Sequence, residues 1–77
     1  MKELIEYIAK SLVENQQDVQ VRESGGGNRV RIELIVSKED MGRVIGKGGK
    51  VANSIRTLLR VAADRLGKQA TLDVIEP

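Results

Sequence analysis

Three glycines fall within the four positions Gly46-Lys47-Gly48-Gly49, between two stretches that each read as helix. Ahead of them, Ser37-Lys38-Glu39-Asp40 has the form of a capping box, with Ser37 as N-cap and Asp40 reaching back, so a short helix is expected over 38–45. Behind them, Val51, Ala52, Ile55, Leu58, Leu59, Ala62, Ala63 and Leu66 recur at helical spacing, and Gly67 is a natural stop. A longer helix is therefore expected over 50–66. Two helices joined by so tight a turn need a further layer to cover their apolar stripes, and the rest of the chain must supply it.

That layer is legible as alternation. Val19 and Val21 alternate with polar residues, Ser24-Gly25-Gly26-Gly27-Asn28 reads as a flexible turn, and Val30, Ile32, Leu34 and Val36 alternate after it. Two such runs about a glycine-rich turn predict an antiparallel hairpin. Ile35 points away from this apolar set, a position for contact with a partner. Ala70, Leu72 and Val74 form a last strand, and Leu4, Ile5, Ile8, Ala9, Leu12 and Val13 give an amphipathic helix over 2–14. The order is α-β-β-α-α-β. Its two-helix connection is long enough for a right-handed parallel crossover, so the fold class is α+β: a three-stranded mixed sheet with the helices packed on one face.

Composition narrows the chemistry. The 77 residues suit a single domain, 1–77, which buries only about 60% of the surface of its unfolded chain. Cysteine and histidine are both absent, which removes disulfides, thiolate metal sites and the usual general base. No acidic loop has cation-binding spacing. The expectation is no enzyme, no metal and no cofactor. The first helix carries charges where a signal peptide would be apolar, and no apolar run approaches a membrane span, so a cytoplasmic protein without membrane contact is expected.

Net charge is only +2, but its distribution is uneven. Between Met41 and Ala63 there are five basic residues and no acidic one, whereas the remainder holds eight basic and eleven acidic. A locally basic stretch on a mildly acidic body suits a polyanion, although a solvated helix face would look the same. Spacing then excludes nucleotide-cofactor loops. Gly42 lies one residue too close to Gly46 for a Walker A loop, and Gly48 stands where its hydroxyl residue should follow Lys47; Val51 occupies the third glycine position of a dinucleotide fingerprint. What remains is a G-x-x-G turn from which a second helix starts at once. Glycines let a phosphate backbone come close. The free N–H groups and positive dipole end of the second helix face the same spot, with Lys47 at the tip and Lys50 in the first turn.

The run from Val44 to Ile55, V-I-G-K-G-G-K-V-A-N-S-I, resembles the V-I-G-x-x-G-x-x-I-x-x-I signature of KH domains. With the N-terminal α-β extension, the element order resembles the type II KH fold over the whole chain. The segment from Gly42 to Gly49 is similar to that of the KhpA-like family of small stand-alone bacterial KH proteins. The resemblance implies binding of about four nucleotides of single-stranded RNA, the loop clamping the backbone and bases lying in an adjoining groove. By that resemblance Gly46 and Gly49 permit close approach, Lys47 and Gly48 meet phosphate, and Arg43 and Lys50 flank the path. Ser54 lies on the same helix as a further RNA-binding candidate. Ile45, Val51 and Ile55 would floor the groove, a role no better supported by their spacing than a place in the core.

Tyr7 is the only aromatic residue and sits in the first helix, so stacking of the RRM kind has no platform near the loop. A single domain should then bind weakly and with strong salt dependence, and useful affinity calls for a second domain. Val61 falls outside the main apolar stripe, beside Ser54, Leu58 and Arg65, and these four residues form a candidate dimer face. The resemblance implies both a homodimer and a heterodimer with a larger, KhpB-like KH-containing protein, acting as an RNA chaperone or post-transcriptional regulator. Two other readings stay open at this point. One is helix-turn-helix DNA binding through Lys50, Arg56 and Arg60; the other is a protein-interaction module whose glycine turn is only a connector.

Overall fold

A computed structural model describes residues 1–77. Helix α1 spans Lys2–Leu12, strands β1 and β2 span Gln20–Gly26 and Arg29–Ile35, and a 3₁₀ turn at Lys38–Asp40 leads into the short helix α2, Met41–Ile45. Further 3₁₀ turns lie at Gln16–Asp18, ahead of β1, and at Lys47–Gly49, which opens directly into α3, Lys50–Arg65; β3 spans Gln69–Ile75. The α-β-β-α-α-β order and the α+β class are those expected.

The sheet runs β1-β2-β3, with β1 antiparallel and β3 parallel to β2. Register places Leu34 opposite both Val21 and Val74, and Ile32 opposite Leu72. The period-two rule then sends one apolar set to one face. Val21, Val30, Ile32, Leu34 and Leu72 are buried there with Ile5, Ala9, Val44, Ile55 and Leu59 from the helices. Ile35 turns to the opposite face, half-buried and in register with Gln20 and Ile75. Helix α3 closes with bonds from the Gly67 N–H to Asp64 O and from the Lys68 N–H to Ala63 O, the two bonds of a Schellman motif.

Local details depart from expectation in three places. The hairpin turn is not the five residues 24–28. β1 pairs as far as Gly26 against Arg29, leaving Gly27-Asn28 as a two-residue turn, because backbone pairing needs no side chains and recruits the glycines into the ladder. The helix stripe of α3 is narrower than the apolar spacing suggested. Ala52, Ile55, Leu59 and Ala63 are buried, whereas Leu58 and Leu66 are 54% and 62% exposed, because a single sheet covers only part of the helix circumference. The capping box at Ser37 does not form: no side chain caps either 38–40 or α2, and the Asp40 carboxylate is used elsewhere.

Candidate nucleic-acid interface

The glycine turn is a consequence of packing as much as of flexibility. Gly46 sits at φ 76°, ψ 169°, a region closed to other residues, and a Cβ there would lie 2.4 Å from Val51 Cγ2 and 2.9 Å from the Val51 N. Its N–H donates to Gly42 O at 2.9 Å, ending α2, and its carbonyl accepts the Gly49 N–H at 3.1 Å. The backbone thus turns over Gly46–Gly49, with positive φ at all three glycines, and enters α3 at Lys50. No side chain caps α3; the Lys50 N–H is taken by Lys47 O within the turn, and the N–H groups that follow it in the first turn have no side-chain cap. Lys47 and Lys50 are exposed there, and neither takes part in an ion pair. Backbone donors, a helix start and two free ammonium groups converge on one patch.

The apolar candidates divide. Ile55 is a core residue, 3% exposed, while Ile45 and Val51 are half-buried at the margin of the core, where a ligand could still touch them. Ser54 is exposed, and its hydroxyl donates to Lys50 O at 2.9 Å.

Arg43, expected to flank the path, is held by two ion pairs. Its Nη1 donates to Asp40 Oδ1 at 3.0 Å and its Nη2 to Glu14 Oε1 at 2.9 Å, so the guanidinium is clamped between two carboxylates. Asp40 is fully buried and is the hub of this cluster. Burial by itself would raise its pKa. The backbone N–H groups of Asn15 and Glu14, the Ser37 hydroxyl and the Asn15 amide all donate to the charged form and hold the carboxyl well below the usual range. The end of α1 is thereby fastened to the start of α2, five residues long and unable to hold its own shape. The loop hangs from that fastening.

Arg56 and Arg60, which the sequence offered only to the DNA-binding reading, line a groove beside β3. Helical spacing places Asn53, Arg56 and Arg60 along one flank of α3 and Ser54, Leu58, Val61 and Arg65 along the other. The first flank faces β3 across a groove of about 170 Å³ lined by Arg56, Leu59, Arg60, Ala70, Thr71 and Leu72. The signal was present in the sequence as the i, i+3, i+7 spacing of Asn53, Arg56 and Arg60. Which element would stand beside that flank was not.

The sequence model of the family described as "KhpA/KhpB, KH domain" matches residues 2–74. The chain is 49% identical over 75 residues to a Clostridium perfringens protein named RNA-binding protein KhpA, covering 97% of this chain and all of the relative. Proteins of the same name from Clostridium acetobutylicum and Aquifex aeolicus are 47% and 40% identical, covering 97% and 99% of this chain and 100% and 96% of the relatives. These relatives are named as binding proteins, not as enzymes.

Proposed function

Because the chain belongs to the KhpA/KhpB KH-domain family, we propose that residues 1–77 act as one KH domain that binds single-stranded RNA, clamping its backbone at Gly46-Lys47-Gly48-Gly49. The observation that carries this reading is the uncapped start of α3, set against a glycine turn with two unpaired lysines. Phosphate sits at Lys47, Gly48 and the first N–H groups of α3, with Lys50 alongside. Ile45 and Val51 offer apolar contact at the margin, and Ile55 supports them from the core. Arg43 and Ser54 join the path on its periphery, Arg43 through the donors its clamp leaves free. The helix-turn-helix alternative asks α3 to lay its basic flank in a major groove. β3 stands against that flank, and Arg56 bonds to it.

Titrating a fluorescent single-stranded RNA over a salt series tests this. Two or three phosphate contacts predict a log–log slope of roughly −1.5 to −2, with duplex DNA bound more weakly. Preference for duplex DNA would restore the helix-turn-helix reading, and no binding to either would favour a protein-interaction module.

The second flank of α3 supports self-association. Leu58 and Val61, 54% and 50% exposed and one turn apart, lie between Ser54 and Arg65 on the side away from the groove. Packing this flank about a two-fold axis buries both aliphatic residues and leaves both loops free, so RNA long enough to reach both gains affinity through avidity. The same flank would take a larger KhpB-like protein in a heterodimer, and either assembly would work in the cytoplasm as an RNA chaperone or post-transcriptional regulator. No helix is long and apolar enough to cross a membrane. Val61→Asp is expected to turn a dimer into a monomer in sedimentation velocity and to weaken binding to long RNA by at least about tenfold, with short oligonucleotides unaffected. An unchanged sedimentation coefficient sinks this face.

A further inference from the structure

β3 is an edge strand. The Gln69 N–H donates to Asn28 O, so the backbone groups of Gln69, Thr71 and Asp73 turn toward β2 and those of Ala70 and Leu72 turn outward, into the groove. The outward Leu72 carbonyl accepts the Arg56 Nε–H at 3.2 Å, and Asn53 Oδ1 accepts from Arg56 Nη1 at 3.0 Å. Both bonds lie at the edge of the guanidinium, because its donors are in its plane. They restrain its rotation and, lying in its plane, occupy neither of its faces. The groove has an apolar floor of Leu59, Ala70 and Leu72, and its volume of about 170 Å³ is below the ~300–1,000 Å³ typical of small-molecule pockets. One flat ring suits it better than a metabolite does. Arg60, one turn further along, is exposed and makes no ion pair.

We propose that Arg56 is the base-stacking platform of this groove, its fixed guanidinium plane taking the place of the aromatic ring that the groove lacks. The proposal rests on the RNA-binding reading above, in which bases lie in a groove beside the loop, and adds to it the residue on which one of them stacks. A guanidinium stacks on π-faces as an ammonium does not, and RNA-binding proteins use arginine planes for this purpose. Arg56 lies seven residues from Gly49, about 10 Å along the α3 axis, within reach of the nucleotides next to the clamp. Arg60 meets the phosphate of the same nucleotide. Stacking tolerates every base, so the groove discriminates weakly and favours the larger face of a purine.

Arg56→Lys separates the plane from the charge. With a short single-stranded RNA, the variant is expected to bind about tenfold more weakly, with the salt slope of the wild type. An abasic scan of the same RNA locates the partner. In the wild type one abasic position costs about tenfold, and in Arg56→Lys that cost disappears while the other positions keep theirs. The Arg56 Nε–Hε resonance of the unmodified protein should also shift as RNA is added. If the lysine variant binds as tightly as the wild type, Arg56 acts by charge alone and the platform is refuted. If abasic costs are the same in both proteins, Arg56 only staples α3 to β3, and the proposal fails equally. Should the wild type bind no single-stranded RNA, the RNA reading itself falls and takes the platform with it; an unchanged Arg56→Lys affinity for RNA that does bind sinks the platform only.

Discussion

Replacing Lys47 and Gly48 together by aspartate is expected to remove single-stranded RNA binding, a loss of at least about 100-fold, while the chain stays folded. The substitution changes the turn by three units of charge within two residues, just where a phosphate would meet the free N–H groups of α3. Repulsion between like charges at contact distance costs about 1 kcal/mol even at the dielectric of water and more beside a protein surface. The lost ammonium adds to that. Folding is spared for a structural reason. Both residues are exposed, and a Cβ at Gly48 meets no atom within 4 Å. Gly48 has φ 66°, ψ 17°, a left-handed conformation that aspartate adopts more readily than most residues, at a cost of about 1 kcal/mol. In a domain of this size that lowers the melting temperature by about 4–8 °C. Gly46 would be the wrong target: a side chain there collides with Val51, so lost binding would report a broken loop. Circular dichroism checks the fold and fluorescence anisotropy the binding. Affinity within tenfold of the wild type would dispose of the clamp.

The parts of this molecule that could be read from the chain are those whose cause is local. Val30, Ile32 and Leu34 alternate because one face of their strand meets the helices, and that pattern needs no knowledge of what lies opposite. The turn at Gly46 announced itself likewise, since both the reversal and the helix that follows belong to neighbouring residues. Family resemblance then pointed to a polyanion as the partner of the turn, where composition alone left the choice even between a polyanion site and a solvated face. Asp40 escaped because its partners Asn15 and Glu14 lie 25 and 26 residues away; a capping box was the best local use for a carboxylate three residues after a serine. The ion pairs of Arg43 escaped with it, since a basic residue beside a glycine turn gives no sign of being held by Glu14. Leu58 misled for the opposite reason. It has helical spacing with the core residues, yet whether it is covered depends on how much of α3 the sheet can wrap, a tertiary fact. The same narrow coverage is what leaves two separate flanks on α3, so the groove and the dimer face need not compete.

Asp40→Asn should lower the melting temperature at pH 7 by about 10–20 °C, the largest stability effect of any isosteric change in this chain. Five donors converge on the Asp40 carboxylate: the Glu14 and Asn15 N–H groups, the Asn15 amide, the Ser37 hydroxyl and Arg43 Nη1. An asparagine keeps one acceptor oxygen and turns an NH₂ group toward donors, leaving buried N–H groups unsatisfied. The pH dependence distinguishes this from a simple packing defect. Because the folded Asp40 carboxyl titrates below its ordinary value, its contribution to stability is complete above the unfolded pKa of about 4. It drains away as the pH falls from there toward the folded value. Wild type and Asp40→Asn should therefore differ most at neutral pH and converge below about pH 4, as thermal melts across that range would show. A constant gap at all pH values would mean that shape, not charge, matters at this site. RNA affinity should fall in the same variant at temperatures where it is still folded. The five residues of α2 lead into the glycine turn, and Asp40 joins them to Glu14 and Asn15 behind α1 and holds the Arg43 guanidinium beside Glu14. If Asp40→Asn melts as the wild type does at pH 7, the cluster is not the fastening of the loop, and the loop owes its shape to Gly46 and Val51 alone.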